Sequence, residues 1–122
     1  MDNLFDQLKV HVLGKRYDLS VAFLSSAKMS EVTLKTKKKD KASNVLAFPL
    51  SRASGEILIC KATAKKEAKL YSMTQEVFVN YLFIHGLLHL KGLKHGATME
   101  HEERRIMRRF NLRVDEQSSN RN

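Results

Sequence analysis

The segment from Thr74 to Leu90 is apolar on nearly every side of a helix, yet it holds two histidines. Val77, Tyr81, Ile84 and Leu88 share one stripe, and Phe78, Leu82, His85 and His89 share the adjoining one. A helix of this kind is expected at the centre of a domain, with the other elements laid around it. Burying imidazoles there is costly unless each ring finds a partner. A lone histidine on such a helix is more often a core or surface residue than a ligand. Here the stretch reads His85-Gly-Leu-Leu-His89-Leu-Lys-Gly92-Leu-Lys-His95 and takes in three of the chain's five histidines. His85 and His89, four apart, lie one above the other on one helix face. Gly92 stands where a helix commonly stops in a left-handed turn. The chain can then fold back and bring His95 to the same point. Three neutral imidazoles and one open position form the ligand set of a catalytic zinc, the arrangement that acidifies a bound water. A single cysteine excludes a thiolate-rich structural zinc site. Imidazole suits nickel, copper and iron as well, so the spacing leaves the metal's identity open.

The rest of the chain supplies what could surround such a helix. Residues 4–13 have loose helical periodicity, ending near Gly14. Tyr17 to Leu24 alternates apolar and polar residues and predicts a strand. A short helix is expected over 27–35, then a lysine-rich loop to Lys41. Val45 to Pro49 reads as a second strand, whose proline argues for an edge or a strand end. Ser51 to Gly55 is a turn, and Glu56 to Cys60 a short apolar strand in which Cys60 packs as a small hydrophobe. An Ala/Lys-rich helix over 61–70 is broken at Ser72 to Thr74, where a hydroxyl can cap the central helix. A charged helix over 98–110 follows, then a polar tail from about residue 115. Strands grouped ahead of the long helices predict an α+β layer fold. At 122 residues the whole chain, 1–122, is expected to form one domain.

Charge narrows the partners. Lys and Arg outnumber Asp and Glu by 22 to 13, giving a formal charge of +9. Such an excess favours a polyanion: RNA, DNA or an anionic membrane. It gathers at Lys35, Lys37, Lys38, Lys39 and Lys41, at Lys61, Lys65, Lys66 and Lys69, and at Arg104, Arg105, Arg108 and Arg109. Each cluster taken alone can be a solvated face that keeps a small protein soluble; all three beside a hydrolytic metal site make a nucleic-acid partner the stronger reading. No apolar run reaches the ~18 residues that span a bilayer. The acidic N-terminus has no signal-peptide core, and one cysteine fits a reducing cytoplasm.

Three motifs in order resemble a known family. His85-Gly-x-Leu-His89-Leu-x-Gly92-x-x-His95 is similar to the signature of the YbeY-type rRNA maturation factors, zinc-dependent endoribonucleases. Lys39-Asp-Lys-Ala-Ser-Asn-Val-Leu-Ala-Phe-Pro49 resembles the family's K-D-x-x-T-[ND]-V-L-S-F-P segment, and Gly55-Glu-Ile-Leu-Ile-Cys60 its G-D-I-x-I-C strand. The resemblance covers roughly residues 17 to 112. It implies a zincin-like α+β domain with a small mixed sheet against the metal-binding central helix. It also implies one Zn2+ per chain, on His85, His89 and His95. The implied activity is hydrolysis of single-stranded RNA, in maturation of the 3′ end of 16S, the small-subunit rRNA, and in ribosome quality control in the bacterial cytoplasm. Ribosomal proteins or the 30S subunit are implied as further partners, and no membrane. A basic family residue three before the Asp, usually arginine, falls on Lys37, which keeps the charge but lacks the planar fork that grips phosphate. The family usually has an acid just before its third histidine. Lys94 stands there instead, so a carboxylate that could orient a ligand is missing or comes from elsewhere.

Two rivals stand beside this reading. One is a metallopeptidase-like zinc hydrolase, but the Glu that serves as general base in the His-Glu-x-x-His pattern is here Gly86. No general base is therefore assigned, and attack by the ribose 2′-hydroxyl stays open beside attack by water. The other is a non-catalytic rRNA-binding assembly factor with structural zinc. Three evident protein ligands favour an open site over a closed one.

Overall fold

The computed structural model describes residues 3–37 and 43–113. Lys38, Lys39 and Lys41 of the first basic cluster and the polar tail lie outside the described residues, as does the side chain of Lys37. The elements run α1 (Leu4–Leu13), β1 (Asp18–Phe23), α2 (Ser26–Lys37), β2 (Val45–Ser51), β3 (Ser54–Ile59), α3 (Lys61–Ala68), α4 (Gln75–Lys91) and α5 (Ala97–Arg109). A short 3-10 turn over Lys69–Tyr71 separates α3 from α4. The strands form one mixed sheet in the order β1-β3-β2, with β1 parallel and β2 antiparallel to β3. This is the expected α+β arrangement of a small mixed sheet against helices.

Thr74 begins α4 by accepting the Val77 amide at 3.1 Å on its hydroxyl. The helix then packs against α1, α3, α5, β2 and β3, so that nine of its residues are buried, from Phe78 to Leu88. Its apolar periphery thus places it where the sequence demands, at the centre. Phe83 stacks on Phe5 of α1 with ring centroids 3.8 Å apart, and Ile57 and Ile59 of β3 join it in the main core. A smaller core of Met29, Leu46, Leu58 and Cys60 fills the space between α2 and the sheet. Cys60 packs there as a buried hydrophobe, as expected, although it lies just past β3 at the head of α3.

The boundaries shift for identifiable reasons. Strand β2 continues through Pro49 to Ser51 because it is an edge strand, paired only with β3, where a missing N–H costs no ladder bond. A register shift between Pro49 and Ser51 absorbs the irregularity. The turn contracts to residues 51–54, closed by a 2.8 Å bond between the Ser51 and Ser54 hydroxyls. Helix α3 stops at Ala68, two residues early. The chain tightens into the 3-10 turn and ends it with Ser72 in the left-handed region, at φ 55°.

Gly86 marks the closest approach of α4 to the sheet. A Cβ built there would lie 3.0 Å from Cδ1 and 3.2 Å from Cγ2 of Ile57, tighter than ordinary van der Waals contact. A longer side chain at this position has to displace β3 or α4. Gly86→Glu, which would restore the metallopeptidase pattern, should therefore lower unfolding stability by at least about 2 kcal/mol, from overpacking plus burial of a carboxylate. A urea-denaturation midpoint equal to that of the parent protein would contradict this packing.

Candidate metal centre

The local sequence builds the site in two steps. His85 and His89 project from successive turns of α4, one above the other, and their Nε2 atoms are 3.1 Å apart. Gly92 then ends the helix at φ 112°, with its amide bonded to the His89 carbonyl and the Leu93 amide to the Leu88 carbonyl, each at 3.0 Å. A residue with a side chain is strained in that conformation, which is why glycine stands there. The reversal brings His95 back beside the pair. The ring centroids of His85 and His89, and of His89 and His95, lie 4.6 Å apart, and those of His85 and His95 5.0 Å.

One nitrogen from each ring lies within 4.8 Å of the others, near enough for a single ion to draw them together. His85 and His89 are half-buried and His95 is exposed, so the trio opens to solvent on one side. Three borderline-soft nitrogen donors and no thiolate suit a divalent transition metal with a position left for water or substrate. The donor set and its convergence fit the metal that the motif implies.

The site also contains a residue that sequence reasoning passed over. Glu103 of α5 is 4% exposed, and its Oε2 lies 2.5 Å from Nδ1 of His85. Its other oxygen accepts the Tyr81 hydroxyl at 3.2 Å. As a carboxylate it offers only acceptors, so Nδ1 of His85 carries the proton and Nε2 keeps its lone pair for the centre. The orienting acid that Lys94 displaced from the motif is thus supplied from another helix. A signal for it existed. Met99, Glu103, Ile106, Met107 and Phe110 share one stripe of α5, and Glu103 is the single acid within it. Tyr81 is held in its neutral form: burial first, and then the charge and hydrogen bond of Glu103, push its pKa up to about 12.

The remaining candidates fall elsewhere. His11 packs edge-on against Phe110 with centroids 5.4 Å apart, and its pKa is lowered by burial and then by the charges of Arg109, Arg105 and Lys91. His101 is exposed on α5. Neither joins the cluster. Lys37 is the last residue of α2, and its side chain lies outside the described residues. Among the described residues no buried side-chain nitrogen or oxygen lacks a hydrogen-bond partner.

Two substitutions test this centre apart from any activity. His89→Ala should lose a divalent metal ion that the parent protein retains on dialysis, whereas His101→Ala should keep it. Glu103→Gln, of nearly the same shape, should weaken the metal by about 10- to 100-fold, the usual effect of removing a carboxylate behind a ligating imidazole. Metal titration in competition with a chelating dye measures both; equal affinity in Glu103→Gln would remove Glu103 from the centre.

Comparisons with known proteins agree with this architecture. The family model described as Endoribonuclease YbeY matches residues 1–116. A protein named Endoribonuclease YbeY from Campylobacter jejuni (strain RM1221) is 34% identical over 103 residues, covering 78% of this chain and 76% of its own length. One of the same name from Sulfurimonas denitrificans is 33% identical over 116 residues, covering 89% of this chain and 82% of its own. The solution structure of a Thermotoga maritima protein superposes with a TM-score of 0.62 at 22% identity, over 87% of this chain and 78% of that one, and so shares the fold. A matched model over nearly the full chain, together with relatives at a third identity, settles the kinship: this chain belongs to the Endoribonuclease YbeY family.

Proposed function

We propose that this protein is a zinc-dependent endoribonuclease that cuts single-stranded RNA during 3′-end maturation of small-subunit rRNA and in ribosome quality control. The observation that carries the reading is the convergence of His85, His89 and His95, with His85 braced by a buried carboxylate, in a chain of charge +9. Membership of an endoribonuclease family supplies the reaction class, and the basic excess supplies the attraction to a polyanion. The reading places the work in the cytoplasm, where a single reduced cysteine is at home. Among the described residues no helix is long and apolar enough to cross a membrane.

His85, His89 and His95 would hold the metal, one ion per chain. When bound, zinc supplies Lewis-acid polarisation of a phosphoryl oxygen and lowers the pKa of water. The protein's own share is orientation and charge. Glu103 fixes the proton of His85 on Nδ1 and so fixes which nitrogen faces the centre. Lys37, at the end of α2, would contact the scissile phosphate as a point charge. Helix α4 contributes no carboxylate base beside the first ligand, since Gly86 faces Ile57 of the sheet. That geometry weighs against a metallopeptidase.

The test is cleavage of a defined single-stranded RNA by metal-loaded protein, with and without chelator. Cutting should stop with chelator and in His89→Ala. Lys37→Ala should slow cutting and, if the lysine touches a phosphate, flatten the log–log salt dependence of binding by about one unit. The product ends choose the route: a cyclic phosphate marks 2′-hydroxyl attack, and its absence marks water. Metal-loaded protein that binds RNA tightly but never cuts it would favour a non-catalytic assembly factor instead.

A further inference from the structure

We propose that Tyr71 is a stacking platform for a base of single-stranded RNA, next to the metal centre. The inference rests on the RNA-cleaving reading above and adds a binding subsite to it. Tyr71 closes the 3-10 turn after α3, and Ser72 follows in the left-handed region. Its ring stacks on Phe78 with centroids 5.1 Å apart and planes 20° apart, yet the residue is 52% exposed. Phe78 is buried and stacks in turn with Tyr81 at 5.8 Å. The Tyr81 ring centroid lies 6.4 Å from that of Tyr71 and 6.4 Å from that of His85. The exposed tyrosine thus packs against two rings of α4, and the second of them, Tyr81, approaches the first histidine of the centre. Tyr71 is within two such steps of a candidate ligand.

Three properties suit this tyrosine to an unpaired base. The ring is backed by a core phenylalanine, so it is already held in place and loses little freedom when a second ring stacks on it. Exposed Lys65 and Lys66 of α3 and Lys69 of the 3-10 turn precede it by two to six residues and supply positive charge for a nucleotide backbone. Leu70 beside it is 79% exposed, adding apolar surface that water covers poorly. Single-stranded RNA offers bases with free faces and a charged backbone, the combination that an aromatic ring among lysines recognises. Duplex RNA offers no such face. The subsite thus gives a physical reason for preferring single strands, which the histidines alone do not.

The chain contains no tryptophan, so Tyr71→Trp creates a unique fluorescent reporter at this position. The experiment uses zinc-loaded protein and a 2′-O-methyl oligouridine as the single-stranded probe. Tyr71→Ala should weaken binding about 5- to 100-fold, the range that one lost base stack produces. The slope of log affinity against log salt should not change, because no charge is removed. Tyr71→Phe should bind within about twofold of the parent, since stacking needs the ring and not the hydroxyl. The emission of Tyr71→Trp should be quenched as the oligouridine saturates the protein, and duplex RNA should leave it unchanged. Parent-like binding by Tyr71→Ala, a silent tryptophan at saturation, or equal quenching by duplex would each overturn the proposal. Where the parent protein cuts RNA, such a result removes the stacking subsite alone. A parent protein that neither binds nor cuts single-stranded RNA removes the endoribonuclease reading, and the subsite with it.

Discussion

The pairing of His85 with Glu103 joins two groups that would each be a liability alone. An imidazole in the middle of an apolar helix and a carboxylate 4% exposed both lose water on folding. Brought together, with Tyr81 on the second carboxylate oxygen, they satisfy one another. Removing one partner of such a buried hydrogen bond leaves the other unsatisfied, which typically costs about 1–3 kcal/mol and more for a charged group. The same contact fastens α5 to α4, beside the apolar seam of Met99, Ile106 and Met107. Site and fold are therefore not separable here. The helix that closes the core also fixes the tautomer of a candidate ligand.

Helix α4 divides its circumference between two tasks. On one side Gly86 lets it press against Ile57, closer than a residue with a Cβ ordinarily packs. On the other His85 and His89 face α5 and the returning loop with His95. The first contact brings the sheet in; the second leaves the histidines open to solvent. This division explains why the position after the first histidine is glycine in this chain. A carboxylate there would have to occupy the space taken by β3, so any base for the reaction must come from the solvent, the substrate or another element.

What could be read from the sequence follows from how local each signal is. The histidine spacing, the Thr74 cap and the Gly92 stop are set by residues within one or two turns of each other, and all three stand in the structure as expected. The all-round apolarity of residues 77–90 located the central helix for the same reason. The edge position that Pro49 argued for stands, but the strand ends shift where pairing overrides composition, as where β2 runs past Pro49 to Ser51. Glu103 was missed because its meaning is tertiary: among the charges of α5 it is one acid of several until the helix is docked and its stripe turns inward. The ring contacts of Tyr71 were hidden likewise, because a 3-10 turn and a left-handed serine, not a helical period, bring Tyr71 onto Phe78.

Positive charge is distributed with consequences of its own. Arg109, Arg105 and Lys91 come from two helices to surround His11 of a third, and after burial they are what lowers its pKa. A folded state that resists protonating His11 binds fewer protons than the unfolded chain just below the ordinary histidine value of about 6.5. Stability from this group is therefore present above that pH and lost as pH falls through the window beneath it. The physical source is first burial of the ring and then like-charge crowding by the two arginines and the lysine, which Glu102 opposes without reversing. Crowding of this kind is relieved by counter-ions or by a polyanion lying across the face. Lys65, Lys66 and Lys69, all exposed on α3 and the 3-10 turn that ends in Tyr71, add positive charge in a second part of the chain.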